Sequence, residues 1–171
     1  MIFQHDTRDK YGKHDNVHGG LRALGHEIIR SKLYVGDITL LNNQSTCIDL
    51  KQSLNEVEGN LTAQHERFRR ECIRARDAGI RLVILIEDED IYGLDEVANW
   101  ENPRLKRWLK IRAAHQSGRL LHVKIPDRPP INGANLHKAM TTMGNRYGVE
   151  WQFAKHDEIA KRICEILGVE V

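Results

Sequence analysis

The sequence predicts an α/β domain built on a partly parallel sheet. Short apolar segments typical of buried strands alternate with longer segments of helical periodicity along most of the chain. The clearest unit is a strand over 46–51, a helix over 60–78 and a strand over 81–87. Because a helix that connects two strands of one sheet places them parallel, this unit makes at least part of the sheet parallel.

The sequence of the first half predicts four further elements before that unit. A strand over 1–6 is followed by a polar, basic loop, and a helix over 17–24 ends where Gly25 stops it. A second strand is predicted over 27–30. The segment 33–41 then forms a hairpin with the strand over 46–51, around a polar four-residue turn.

In the second half, an acidic segment over 88–102 lacks clear periodicity, and a loop containing Pro-Pro covers 126–133. Apolar spacing and helix-stop signals predict the remaining elements. They are helices over 103–116, 134–146 and 157–167 and strands over 120–125 and 149–154.

Composition narrows the class of protein. A chain of 171 residues, 40% hydrophobic and 29% charged, suits one soluble domain over 1–171. Apolar runs fall short of 18 residues and the N-terminus lacks a signal pattern, so we expect a cytoplasmic protein without a membrane span. Cys47, Cys72 and Cys164 lie far apart and are expected to be reduced core residues. A net charge of +2 does not by itself require a nucleic-acid partner.

Two acids and a lysine form the clearest candidate site. Asp37 follows Gly36 at one side of the predicted hairpin, and Asp49-Leu50-Lys51 lies on the other. Strand alternation puts Asp49 and Lys51 on one face and Leu50 on the opposite face. Two carboxylates in one place are costly unless a divalent cation lies between them. Carboxylates, water and phosphate oxygens are the ligands of Mg²⁺, so this arrangement suits metal-assisted cleavage of a phosphodiester.

Asp49-Leu50-Lys51 after an upstream acid resembles the core motif of the PD-(D/E)XK nuclease superfamily, and the fuller order resembles its XPF-type branch. The first strand ends at Asp6, Gly36-Asp37 precedes the hairpin, and Gln64 lies on the following helix before the buried strand 82–87. The likeness covers the first half of the chain well. The second half resembles the branch only in its alternation of strands and helices. It implies a restriction-endonuclease-like three-layer fold, with a central mixed sheet flanked by helices.

The resemblance also implies a function. It points to a DNA endonuclease that depends on Mg²⁺ or Mn²⁺ and prefers flapped, branched or nicked DNA. Metal ligands would be Asp37, Asp49 and the Leu50 carbonyl, with Asp6 as a further ligand or merely a polar strand end. Lys51 would position the attacking water or stabilise the charge of the transition state, while Gln64 would hold water or phosphate unless it simply faces solvent.

The chain departs from the branch pattern at several places. Leu50 stands where that branch has an arginine, which bears on substrate contacts more than on catalysis. Asn55 stands where an acid is usual, and Glu56 comes one residue later. A helix-hairpin-helix module, the common DNA-binding companion in that branch, is not evident.

Basic residues close to this centre in the chain predict the path of DNA. The alternatives are an ordinary solvated face, or packing of the helix arginines on the acids of 88–90. The candidates are Arg8, Lys10, Lys13 and His14 in the first loop and Arg67, Arg70 and Arg74 on one face of the helix. The nine histidines have no recognised zinc spacing, and most are expected at the surface.

Two other function classes remain as alternatives. The first is a nucleic-acid-binding module that keeps the fold without cleaving DNA, which the intact Asp-x-Lys disfavours. The second is a small-molecule enzyme, which lacks support because neither G-x-G-x-x-G nor G-x-x-x-x-G-K-[ST] occurs. A nuclease of this size would be a stand-alone enzyme of phage, mobile-element or bacterial origin, or would act as a homodimer.

Overall fold

A computed structural model describes residues 1–10, 12–119 and 122–170. The strands of this described part are β1 (Ile2–His5), β2 (Glu27–Arg30), β3 (Ile38–Leu40), β4 (Asn43–Lys51), β5 (Arg81–Glu87) and β6 (Glu150–Ala154). They form one mixed sheet in the order β2-β1-β3-β4-β5-β6. Strand β3 is antiparallel to both β1 and β4, while the other neighbours are parallel.

Helices cover both faces of the sheet, which makes three layers. They are α1 (Asp15–Ala23), α2 (Leu54–Leu61), α3 (His65–Asp77), α4 (Pro103–Gln116), α5 (Gly133–Tyr147) and α6 (Ile159–Leu167), with a 3₁₀ helix at Leu94–Asn99. One core contains Phe68 of α3 and Met140 of α5, and the other contains Leu21 of α1 and Ile163 of α6. The predicted α/β class is therefore confirmed, as is the three-layer arrangement of a central mixed sheet flanked by helices. None of the described helices is both long and apolar enough to cross a membrane.

The parallel connection around the candidate site is confirmed, but its helix is not continuous. Strands β4 and β5 pair in parallel, with Asp49 opposite Ile84. The single helix predicted over 60–78 is wrong, because α2 begins at Leu54 and the chain breaks before α3. At the break the Thr62 hydroxyl donates to the Glu58 carbonyl at 2.7 Å, which satisfies a group that the ended helix leaves free.

The hairpin is tighter and less regular than predicted. Strand β4 extends back to Asn43, so two residues, rather than four, separate it from β3. The predicted strand over 33–41 is wrong before Ile38, because the chain bends at Gly36, whose φ is +69°. An alanine Cβ there would lie 3.0 Å from the Ile48 carbonyl oxygen and 3.2 Å from Cys47 Cβ. Glycine thus permits both the left-handed turn and the close approach that precedes Asp37.

The predicted strand over 120–125 is wrong in its described part. Residues 122–125 form a turn and irregular chain, and residues 120 and 121 lie outside the described ranges. The indole Nε1 of Trp108 in α4 donates to the Pro126 carbonyl at 2.8 Å. This segment is therefore held by a helix rather than by a strand of the sheet, which alternation along the sequence could not show.

The crowding at Gly36 generates a stability prediction. We expect Gly36→Ala to cost more free energy of unfolding than Gly79→Ala. Both glycines have a left-handed φ, +69° and +67°, but nothing lies within 4 Å of a Cβ at Gly79. The shared conformational cost is about 1–2 kcal/mol, and contact with β4 should add roughly 1–3 kcal/mol. Urea unfolding measures both, and equal losses would show that β4 yields to the added methyl.

Candidate active site

The predicted acid pair and lysine meet at the end of β4. Asp49 is buried, with 4% of its surface exposed, and its carboxylate forms an ion pair with Lys51 Nζ. Leu50 is buried in the core on the opposite face of the sheet, as strand alternation predicts. Asp37 Oδ2 accepts a hydrogen bond from the Leu50 backbone N–H at 2.8 Å, which holds the first acid against the strand that carries the second.

Backbone hydrogen bonds place Asp37 between two strands. Its N–H donates to the Ile48 carbonyl of β4 at 2.8 Å, and its own carbonyl accepts from the Asp6 N–H, just past β1, at 2.8 Å. Glu71 of α3 reaches the same turn, because its Oε1 accepts from the Gly36 N–H at 3.0 Å. The position of the Asp37 carboxylate is therefore determined by three separate elements.

The charges in this centre are not balanced. Burial, followed by the negative charge of Asp49, raises the pKa of Asp37 well above its ordinary value of 3.8. Burial alone would lower the pKa of Lys51, but the charges of Asp49 and Asp37 outweigh it and raise that pKa. The Lys51 ammonium forms its ion pair with Asp49 and also attracts Asp37, so two acids share one cation. Carboxylate oxygens held in this way suit a hard divalent cation such as Mg²⁺.

Asp6 is buried beside this centre but is already engaged. Its Oδ1 accepts from the backbone N and the Nε of Arg8 at 2.7 and 3.0 Å. Its Oδ2 accepts from the same Nε at 2.9 Å and from the Leu33 N–H at 3.3 Å. Burial opposes ionisation, yet the hydrogen bonds and charge of Arg8 lower the pKa of Asp6. A metal would have to displace Arg8 to reach this carboxylate, so we leave Asp6 out of the proposed metal set.

Gln64 occupies the N-cap position of α3, where its side chain is exposed and does not cap the helix. Among the hydrogen bonds of the described residues, none joins it to Asp37, Asp49 or Lys51. Its catalytic role stays a prediction.

Glu71 was missed by the sequence reasoning, although its spacing of four residues from Arg67 and three from Arg74 places an acid on the basic face of the helix.

The predicted basic elements meet in one cleft. A cavity of about 360 Å³ is lined by Arg8, Asp9, Arg67, Arg70, Glu71 and Arg74. The alternative in which the helix arginines pack on residues 88–90 is not what the structure shows. Asp88 instead accepts from the backbone N–H groups of Asp90 and Ile91. Since Glu71 of this cleft also bonds the Gly36 turn, the arginines lie close to the acid pair.

The remaining members of the predicted basic loop differ in their surroundings. Lys10 is exposed, and Lys13 Nζ lies 3.7 Å from Asp9 Oδ1. The Lys13 carbonyl accepts from Gln52 Nε2 at 2.9 Å, which joins the loop to the residue after Lys51. His14 is buried, and its Nε2 lies 3.3 Å from Asp9 Oδ2. An imidazole enclosed in this way does not present itself to a phosphate, so His14 is a poor candidate for DNA contact.

The expectation that most histidines lie at the surface is wrong. Only His65, His122 and His156 are exposed, whereas His5 and His14 are buried and the other four are half-buried. The N-terminal histidines cluster, with the His5 ring centroid 5.6 Å from that of His14 and 4.7 Å from that of His18. Their spacing along the chain does not show this, because the grouping depends on how the loop folds back over β1.

The raised pKa of Asp37 predicts a pH-dependent stability of the metal-free protein. A carboxyl whose folded pKa is raised stabilises the fold below its unfolded value of 3.8, and this contribution is lost as pH rises through the folded pKa. We therefore expect Asp37→Asn, which can keep the bond from Leu50, to raise the melting temperature near neutral pH. The gain should disappear below about pH 4.

Thermal unfolding without metal, from pH 3 to pH 8, measures this difference. Asp127→Asn, a change at an exposed acid, is the control and should not show the same pH-dependent gain. Mg²⁺ should narrow the gap between wild type and Asp37→Asn by stabilising the wild type. A variant that is less stable than wild type across the whole range would contradict the repulsion between the acids.

Comparison with solved structures identifies the fold. XPF from Aeropyrum pernix matches 98% of this chain and 60% of its own, with a TM-score of 0.58 and 17% identity. XPF from Aeropyrum pernix in complex with DNA has the same TM-score and identity, covering 98% of this chain and 63% of that one. The chain thus spans about three fifths of the length of these proteins. Sequence comparison finds no matching family model and no matching curated protein. The chain therefore shares the fold of XPF from Aeropyrum pernix.

Proposed function

We propose that the protein is a divalent-metal-dependent DNA endonuclease that hydrolyses phosphodiester bonds. The observation that carries this proposal is the convergence of Asp37, Asp49 and Lys51, in which two carboxylates share one ammonium. Asp37, Asp49 and the Leu50 carbonyl would hold Mg²⁺ or Mn²⁺. The bound ion would polarise the scissile phosphate and lower the pKa of an attacking water.

The residues of the chain would supply position and charge. The acids that raise the pKa of Lys51 keep it an ammonium at neutral pH, so it serves better as an electrostatic partner than as a general base. From beside Asp49 it would stabilise the charge that develops on the phosphorane. Glu71 would act indirectly, by holding the Gly36 turn that presents Asp37.

DNA would enter along the arginine cleft. Arg67, Arg70 and Arg74 line it together with Arg8, whose side chain is half exposed. Guanidinium groups bind phosphate by paired hydrogen bonds, and such contacts orient a duplex without reading its sequence. The fold shared with a protein solved in complex with DNA supports this partner. A preference for flapped, branched or nicked DNA is proposed from the resemblance to that branch of nucleases.

Cleavage of a defined set of DNAs tests the proposal. Linear, nicked, flapped and junction substrates would be incubated with the protein, with Mg²⁺, with Mn²⁺ and with a chelator. We expect metal-dependent strand cleavage and a preference among the substrates. Binding of the same DNAs without cleavage under any metal condition would favour the alternative of a non-catalytic nucleic-acid-binding module.

Substitutions in the centre should separate metal binding from catalysis. We expect Asp49→Ala to abolish cleavage, since the metal loses a ligand. Lys51→Ala should lower the single-turnover rate by on the order of 10²-fold while changing the metal dependence little. Lys138→Ala, at an exposed lysine of α5, is the matched control. A normal rate with weaker DNA binding in Lys51→Ala would make Lys51 a phosphate anchor rather than a catalytic residue.

The salt dependence of binding tests the arginine cleft. In the Asp49→Ala background, changing Arg67, Arg70 and Arg74 to alanine should weaken binding and flatten the log–log salt slope by about 0.9 per phosphate contact on duplex DNA. The control changes exposed cations that do not line the cleft, Arg107, Lys110 and Lys138. An unchanged slope with a lowered melting temperature would show that the arginine face is structural.

A further inference from the structure

Three ligand-type side chains meet next to the candidate active site, on the loop that follows β1. The Oδ2 atom of Asp9 lies 3.3 Å from His5 Nε2 and 3.3 Å from His14 Nε2. These three atoms all lie within 4.8 Å of one another. Both histidines are buried, at 2% and 4% exposure, while the Asp9 side chain keeps 16% of its surface exposed.

The converging atoms face one another without a well-formed hydrogen bond. His5 Nε2, His14 Nε2 and Asp9 Oδ2 are all buried, and none makes a hydrogen bond of acceptable geometry. Buried polar atoms whose contacts fall short of hydrogen-bond geometry are only partly compensated for their loss of water. A cation bound between them would satisfy all three at once.

The distances indicate which cation fits. A tetrahedral zinc ion with bonds of about 2.0–2.1 Å holds its ligand atoms roughly 3.3–3.4 Å apart. The two measured Asp9-to-histidine separations are 3.3 Å each. Imidazole nitrogens favour zinc and its transition-metal neighbours over Mg²⁺, which prefers oxygen. The donor set therefore differs in kind from the all-oxygen set proposed around Asp37 and Asp49.

A further histidine supplies the support that metal-bound imidazoles require. His18 Nε2 lies 2.9 Å from His5 Nδ1, on the side of the ring away from the cluster. When Nε2 of His5 binds a metal, its Nδ1–H donates to His18, which fixes the tautomer and the orientation of the ring. The Asp9 backbone is fixed as well, since its carbonyl accepts from Arg30 Nη2 at 2.6 Å.

We propose that His5, Asp9 and His14 form a zinc site, with water as the fourth ligand on the exposed side of Asp9. The ion would join the end of β1 to the residue before α1 and close the loop between them. Arg8, Lys10 and Lys13 lie on that loop, and Gln52 joins it to the end of β4. Zinc would thus hold the loop beside the nuclease centre. Only this positioning role rests on the proposed function, because zinc binding is measured without DNA.

Direct metal binding tests the site. Wild-type protein stripped with a chelator and dialysed would be titrated with Zn²⁺ in competition with a chromophoric chelator, and bound metal would be counted by elemental analysis. We expect one tight equivalent per chain. Asp9→Asn and His14→Asn should remove it, and His18→Asn should weaken it by about 10–100-fold. His137→Asn is the matched control, because half-buried His137 has its Nε2 3.7 Å from Oδ1 of the exposed Asp95 and belongs to no three-ligand cluster of the described residues.

Two measurements use the wild-type protein, so their outcome does not depend on whether a variant folds. Zinc at a hundred times its Kd should raise the melting temperature of the stripped protein by about 5–10 °C. Co²⁺ in place of Zn²⁺ should give the intense visible absorption of a tetrahedral site, with energies typical of nitrogen and oxygen ligands. Asp49→Ala should retain zinc, which separates this site from the proposed Mg²⁺ site.

Several results would overturn the proposal. They are the absence of a tight zinc equivalent in the wild type, a melting temperature that zinc does not raise, and equal zinc binding by wild type and a folded Asp9→Asn or His14→Asn variant. Loss of zinc from Asp49→Ala alone would also overturn it, because the metal would then belong to the acid pair. An inactive nuclease that still binds zinc here would contradict the proposed function and leave the zinc site standing.

Discussion

The position of Asp37 is the constraint on which the candidate site depends. Its backbone bonds to Asp6 on one side and to Ile48 on the other, and its carboxylate accepts from Leu50. This arrangement requires the chain to approach β4 closely, which a side chain at residue 36 would obstruct. The carboxylate is thereby held beside Asp49, where burial and repulsion raise its pKa. Such an arrangement is unfavourable in the free protein and becomes favourable when a cation occupies it.

The surroundings of this centre can be understood as supports for it. The Lys51 ammonium neutralises the Asp49 carboxylate. Glu71 lies among the arginines of the cleft and bonds the turn before Asp37. Glu71 is an acid in a basic cleft, and its observed hydrogen bond is to the Gly36 backbone N–H. Perturbed titration of buried groups beside a cleft is typical of functional sites.

The loop after β1 connects the two proposed metal sites. It begins at Asp6, which is held by Arg8, and ends at His14, which lies against Asp9. Arg30 of β2 donates to the carbonyls of both Asp6 and Asp9, at 3.2 and 2.6 Å. The loop is thus anchored at its start and its middle by polar contacts rather than by an apolar core. An ion at the histidine cluster would anchor its end in the same way.

The sequence by itself determined the elements whose signal is local. Alternation on β4 predicted that Asp49 and Lys51 share a face, and helical spacing predicted that Arg67, Arg70 and Arg74 lie together. Helix α4 was predicted with its correct bounds, since Pro103 begins it and its pattern is uninterrupted. Side-chain periodicity is sufficient in these cases because each depends on a single element.

Only the tertiary structure decided what depends on contacts between elements. The break between α2 and α3 is one case, because helical spacing continues from Leu61 to Phe68 across it. Three other features also depend on contacts with neighbouring elements. They are the irregular chain at 122–125, the hydrogen bond from Arg8 to the Asp6 carboxylate, and the burial of His14. The cluster of His5, Asp9 and His14 is the clearest case. Its members belong to a strand end and a loop, and a common centre arises only when the loop folds back over β1.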